Sequence, residues 1–77
     1  MPVIVRLRYC VIFVYADDHN PPHFHINGLD GRDAQVRLGT LSVINGEVDR
    51  RALKEAVEWA SHNAALLEEA WNDFNPR

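Results

Sequence analysis

Asn45-Gly46-Glu47-Val48-Asp49-Arg50-Arg51-Ala52-Leu53 is where this 77-residue chain changes its period. Beyond Asp49, Leu53, Val57, Ala60, Ala64, Leu67, Trp71 and Phe74 follow one another at steps of 4, 3, 4, 3, 4 and 3. That is the apolar stripe of an amphipathic helix. Asp49 offers an N-cap, no proline or glycine interrupts the stripe, and Pro76 sets a stop. The spacing predicts one helix over 49–75, roughly 38 Å long at about 1.5 Å per residue. A globule of this length has a diameter of roughly 30 Å. The helix is therefore expected to overhang its own sheet and to leave Leu67, Trp71 and Phe74 short of cover.

Before Asp49 the period is two. Val3, Val5, Leu7, Tyr9, Val11, Phe13 and Tyr15 share one parity, in a segment dense in residues that suit a pleated surface. Val3–Tyr15 is read as a single long strand, ended by Pro21-Pro22. His23–Asn27 is a second strand, Gly28-Leu29-Asp30-Gly31 a tight connection, Arg32–Leu38 a third strand and Leu41–Ile44 a fourth. Asn45-Gly46 carries a hairpin signal, although little chain remains for a returning strand. The connections are too short for parallel crossovers. The expected fold is α+β, a small three- or four-stranded, mostly antiparallel sheet with one long C-terminal helix packed on it. Residues 1–77 form one domain, 1–48 its β-rich part and 49–75 its helix.

Composition narrows the function classes. Apolar residues make up 47 % of the chain, too many for a disordered tail. The apolar stretch Cys10 to Ala16 falls far short of the about 20 residues a membrane helix requires. The opening residues lack the pattern of a signal peptide. A single cysteine, Cys10, forms no internal disulfide, fits a reducing cytoplasm, and is expected to pack as a small hydrophobe. The net charge of −3 advertises no general affinity for nucleic acid.

Chemistry concentrates in Asp17-Asp18-His19-Asn20-Pro21-Pro22-His23-Phe24-His25. If His23–His25 is extended, the two imidazoles share one face and Phe24 takes the other. Phe24 is then expected in the core, with His23 and His25 at least partly accessible. The rigid prolines bring His19 within reach of the same face. Asp18, His19, His23 and His25 thus form a candidate site, with His19, His23 and His25 as ligands for a divalent transition metal or as acid–base groups. The plainer alternative is a rigid turn whose histidines bond the backbone and lock the sheet. No cofactor is otherwise expected.

The octapeptide Asp18–His25 also resembles the signature of a small bacterial family, the domain-of-unknown-function 4160 family. The resemblance continues through Arg50-Arg51-Ala52-Leu53, Glu58-Trp59-Ala60, His62, Leu67 and Trp71. It implies an opening strand, the histidine motif, two short strands and a helix. It also implies an encoding beside a second small protein, similar to a toxin–antitoxin pair. Members commonly carry a basic tail after the helix, whereas this sequence ends at Pro76-Arg77.

Two further features suggest surfaces. Arg50, Arg51 and Lys54 sit at the helix start and Glu68, Glu69 and Asp73 at its end, the reverse of what the macrodipole favours. The basic group is a candidate patch that Arg6, Arg8, Arg32 and Arg37 could extend. Trp59 and Leu66 widen the apolar face, and with Leu67, Trp71 and Phe74 they form a candidate partner surface. Three functions follow. The first is a protein-binding module, one half of a regulatory pair, meeting a second copy or the neighbouring gene's product. The second is a small histidine- or metal-dependent hydrolase or nuclease. The third is an acidic inhibitor that occupies a basic surface of a larger complex through Glu55, Glu58, Glu68, Glu69 and Asp73.

Overall fold

Val3–Tyr15 does not run straight. In the computed structural model, which describes residues 3–16, 18–19 and 21–76, it forms two antiparallel strands, β1 (Val3–Arg6) and β2 (Cys10–Phe13). The Leu7 amide donates to the Cys10 carbonyl at 2.8 Å to close the turn between them. The register slips between Val3 and Val5, so β1 carries a bulge. The turn lacks glycine, proline and asparagine, and its free amides are satisfied from elsewhere. Glu55 accepts the Arg8 amide at 3.0 Å on one carboxylate oxygen and the Tyr9 amide at 2.8 Å on the other.

Three more strands follow: β3 (His23–Gly28), β4 (Asp33–Arg37) and β5 (Val43–Gly46). The order is β1-β2-β3-β4-β5, each strand antiparallel to its sequence neighbour. The sheet therefore has five strands, where three or four were expected. Asn45 and Gly46 are not a hairpin turn; they belong to β5 and pair with Gln35 and Ala34. Gly46 has a φ of +72°, and a Cβ there would lie 2.4 Å from the Asp33 carbonyl oxygen. That close strand crossing admits only glycine.

The helical part is also divided. α1 (Arg50–His62) and α2 (Ala64–Phe74) are separated by Asn63, which has a φ of −134°. Its side-chain amide donates to the Trp59 carbonyl at 2.8 Å, and its own carbonyl accepts the Leu67 amide at 3.1 Å. Asparagine ends one helix and begins the next by offering the backbone a competing partner. The halves are roughly 20 and 17 Å long, within a molecule whose longest extent is 34 Å. The expected overhang does not occur.

Directly paired residues share a face of a sheet. The registers put Cys10, Ile12, Phe24, Ile26, Ala34 and Val36 on one face, all buried. The helices pack on β2 and β3. α1 meets the core through Ala52, Ala56 and Ala60, one position off the expected line of Leu53 and Val57, which are half-buried. Three methyl side chains let the helix lie close to the strands. α2 adds Leu67 at 0 % and Trp71 at 3 % exposure, with Phe74 partly buried beside them. Full burial of Phe24, Ile12, Ile26 and Leu67 contributes roughly 1.5–3 kcal/mol each.

Candidate functional site

The second face of β3 carries the histidines. His25 lies opposite Phe13 on β2, and His23 lies opposite Arg37 on β4. Phe24 is buried as its parity requires, but so are its neighbours: His23 is 0 % and His25 6 % exposed. The expectation of accessible imidazoles is overturned because this face is covered as well. Phe13 stacks on His25 at 5.3 Å between ring centres, and Tyr15 meets it edge-on at 4.5 Å. His23 is 5.0 Å from the His25 ring and 5.2 Å from Trp71, measured between centres. Asp17 and Asn20 of the motif lie outside the described residues.

Asp18 sits at the middle of the group. One carboxylate oxygen lies 2.9 Å from His25 Nε2 and 3.0 Å from His23 Nε2. The other accepts the His19 amide at 2.9 Å and is 3.0 Å from His19 Nδ1. Asn75 fixes Asp18 from behind: its side-chain oxygen accepts the Asp18 amide at 2.6 Å, and its nitrogen donates to the Tyr15 carbonyl at 3.1 Å. The end of α2 thereby holds the segment against the sheet. Partial burial works to raise the Asp18 carboxyl. The hydrogen bonds from His25 and the His19 amide, with the charge of His23 and His25, outweigh it and hold the carboxyl below the usual carboxylate range.

The two buried histidines differ in what they can donate. His23 Nδ1 lies 2.7 Å from the Pro21 carbonyl oxygen, which can only accept, so Nδ1 carries the proton. Its Nε2 is within ion-pair distance of Asp18 but poorly aligned, and it is the one buried side-chain polar atom without a hydrogen-bond partner among the described residues. His25 Nε2 makes a well-formed bond to the same Asp18 oxygen. His19, with its side chain 69 % exposed, stays at the rim. The residues whose ligand atoms converge, all within 4.8 Å of one another, are Asp18, His23 and His25. The geometry thus substitutes Asp18 for His19 in the expected ligand trio.

The other candidate residues are dispersed. Arg50, Arg51 and Lys54 are exposed at the start of α1. Arg51 lies over the Tyr9 ring at 5.0 Å, with Arg8 over the same ring at 5.4 Å, but Asp49 pairs with Arg51 at 3.1 Å and Asp30 with Arg32 at 2.7 Å. The basic patch is interleaved with acid. Of the partner surface, Leu67 and Trp71 are spent on the core, because the bend at Asn63 folds α2 onto the sheet. Trp59 is half-buried and lines a groove with Leu7, Tyr9 and His62, and Leu66 remains 49 % exposed. Glu55, one of the expected acidic contacts, serves the β1–β2 turn instead. That role and the Asn75 clamp join residues 46 and 57 positions apart, and no local pattern announces them.

Fold and site together define a five-stranded antiparallel meander, backed by two helices, with an internal aspartate–histidine–histidine centre. The chain belongs to the family described as Domain of unknown function (DUF4160), whose model matches residues 9–72. Neither a curated protein nor a solved structure matches it. No helix among the described residues is long and apolar enough to cross a membrane.

Proposed function

We propose that the chain is a protein-binding module, one component of a toxin–antitoxin-like pair, acting through contact surfaces rather than turnover. The observation that carries this reading is β5. It is the end strand of the sheet, exposed along its whole length, with Val43 at 43 % and Ile44 at 39 %. Its sequence, Val43-Ile44-Asn45-Gly46, has no charge. Edge strands are ordinarily protected by charge, proline or a covering element, because their free backbone groups recruit further strands. Neither helix packs on β5. An uncharged apolar edge suits a partner that adds a strand, with main-chain bonds supplying affinity and alternate side chains selectivity.

The test is co-purification with the product of the neighbouring gene, followed by calorimetry. Ile44→Lys should weaken the complex at least tenfold, about 1.4 kcal/mol, while changing the free chain's stability by no more than about 0.5 kcal/mol. Sedimentation of the chain alone tells a second copy from a different partner. Failure to form any complex, or a complex indifferent to Ile44→Lys, defeats the reading.

A further inference from the structure

The Pro21 carbonyl takes the proton at His23 Nδ1, which leaves Nε2 as the ring nitrogen that faces Asp18. That nitrogen is fully buried, has no hydrogen-bond partner among the described residues and lies 3.0 Å from an Asp18 carboxylate oxygen. An unpaired buried polar atom is costly. A bound cation facing both the nitrogen and the carboxylate supplies that partner. The surroundings match those of a metal ligand: histidines that bind metals donate their second ring nitrogen to a backbone carbonyl or carboxylate, which fixes tautomer and ring direction. His25 lies against the same carboxylate oxygen at 2.9 Å, its ring plane set by Phe13 and Tyr15.

We propose that His23 Nε2, His25 Nε2 and the Asp18 carboxylate bind one divalent first-row transition metal ion, which replaces the proton that His25 Nε2 shares with Asp18, that proton passing to solvent or to His25 Nδ1. Two imidazoles and a carboxylate form a donor set suited to zinc, nickel, cobalt or ferrous iron rather than calcium or magnesium. Ligand atoms around a four-coordinate zinc ion, with bonds of about 2.0–2.2 Å, lie about 3.3–3.6 Å apart. The nitrogen–oxygen distances here are 3.0 and 2.9 Å. Withdrawal of the Asp18 carboxylate by about half an ångström brings both nitrogen–oxygen distances to that spacing, and the two imidazole nitrogens, within 4.8 Å of each other, close on the ion. The role is structural. Asp18 joins the segment before Pro21 to the end of α2 through Asn75, so an ion there ties sheet, loop and helix together. A domain this small gains from such a staple.

The probe is zinc added to the chelator-treated 77-residue chain, with cobalt as its coloured substitute. One equivalent should bind, cobalt should give the intense visible absorption of a four-coordinate site, and the ring nitrogen resonances of His23 and His25 should shift. At a hundredfold excess over Kd the melting midpoint should rise by about 10 °C or more. Asp18→Asn and His25→Gln should each weaken binding about 100-fold, with circular dichroism confirming that they fold. His19→Ala and His62→Ala should bind as the parent does. Absence of stoichiometric uptake overturns the proposal. So does uptake that survives Asp18→Asn and His25→Gln but is lost in His19→Ala or His62→Ala, which marks adventitious surface chelation.

Discussion

Phe24 and His25 are neighbours in one strand, and both are buried, but they are held by different physics. Phe24 lies on the face where Ile12, Ile26 and Val36 meet the alanines of α1. Apolar packing there is non-directional, so volume decides the outcome and many side chains of similar size would serve. His25 lies on a face closed by two aromatic rings and a carboxylate, where particular atoms must meet at particular distances. Burial alone therefore does not make the two faces equivalent. The apolar face is expected to supply most of the stability, and the other to fix the Asp18 segment in place.

The two faces should differ most at Phe24. Phe24→Ala should cost about 3–5 kcal/mol, against a total of about 5–15 kcal/mol for a domain, and urea denaturation should show the chain largely unfolded or close to it. Phe24→Leu should cost much less, because the face reads volume. Asp18→Ala, measured without added metal, should cost about 1–3 kcal/mol by leaving the His25 nitrogen and the His19 amide without their acceptor. If Asp18→Ala proves as damaging as Phe24→Ala, the proposed division of labour between the faces is wrong.

The faces should also separate by pH. On the apolar face, burial pushes the Cys10 thiol up to about 12, helped by the nearby Glu55 charge and hydrogen bond. The unfolded chain loses this proton at about 8.5. Stability should therefore fall as pH rises from that value towards 12, at up to about 1.4 kcal/mol per unit. Cys10→Ala should flatten this alkaline limb of a melting-temperature profile. On the other face the Asp18 carboxyl is depressed, so its contribution is complete above the usual carboxylate range and is lost as pH falls through its folded value. Asp18→Asn should flatten the acid limb. The smallest effect on stability belongs to Ile44→Lys at the sheet edge, whose influence should be felt in association.

The sequence pattern carried the faces of the elements better than their ends. Parity placed Phe24 in the core, and the gap of Gly28-Leu29-Asp30-Gly31 is the turn observed between β3 and β4. The break in Val3–Tyr15 escaped because its turn draws on Glu55, a residue 46 positions away. The break at Asn63 escaped because apolar spacing continues through it. The bend is recorded only in one asparagine side chain that bonds back to Trp59. Asp18, His19, His23 and His25 were visible as a group from their types and spacing. Their enclosure was not, since it depends on Tyr15 and Phe13 folding over and on Asn75 arriving from the far end of the chain.

The neighbour-to-neighbour order of the strands has a bearing on how the chain reaches this state. Every sheet pairing joins consecutive strands, so each loop closure is short and its entropic penalty small. A folding chain can zip the meander hairpin by hairpin, which places this domain among the faster of the sheet-containing folds. The distant closures are the ones that bring Glu55 to Tyr9 and Asn75 to Asp18, 46 and 57 residues apart. Docking of the helices on a formed sheet is thus the expected late step. Until Glu55 arrives, the Arg8 and Tyr9 amides remain open to exchange with solvent.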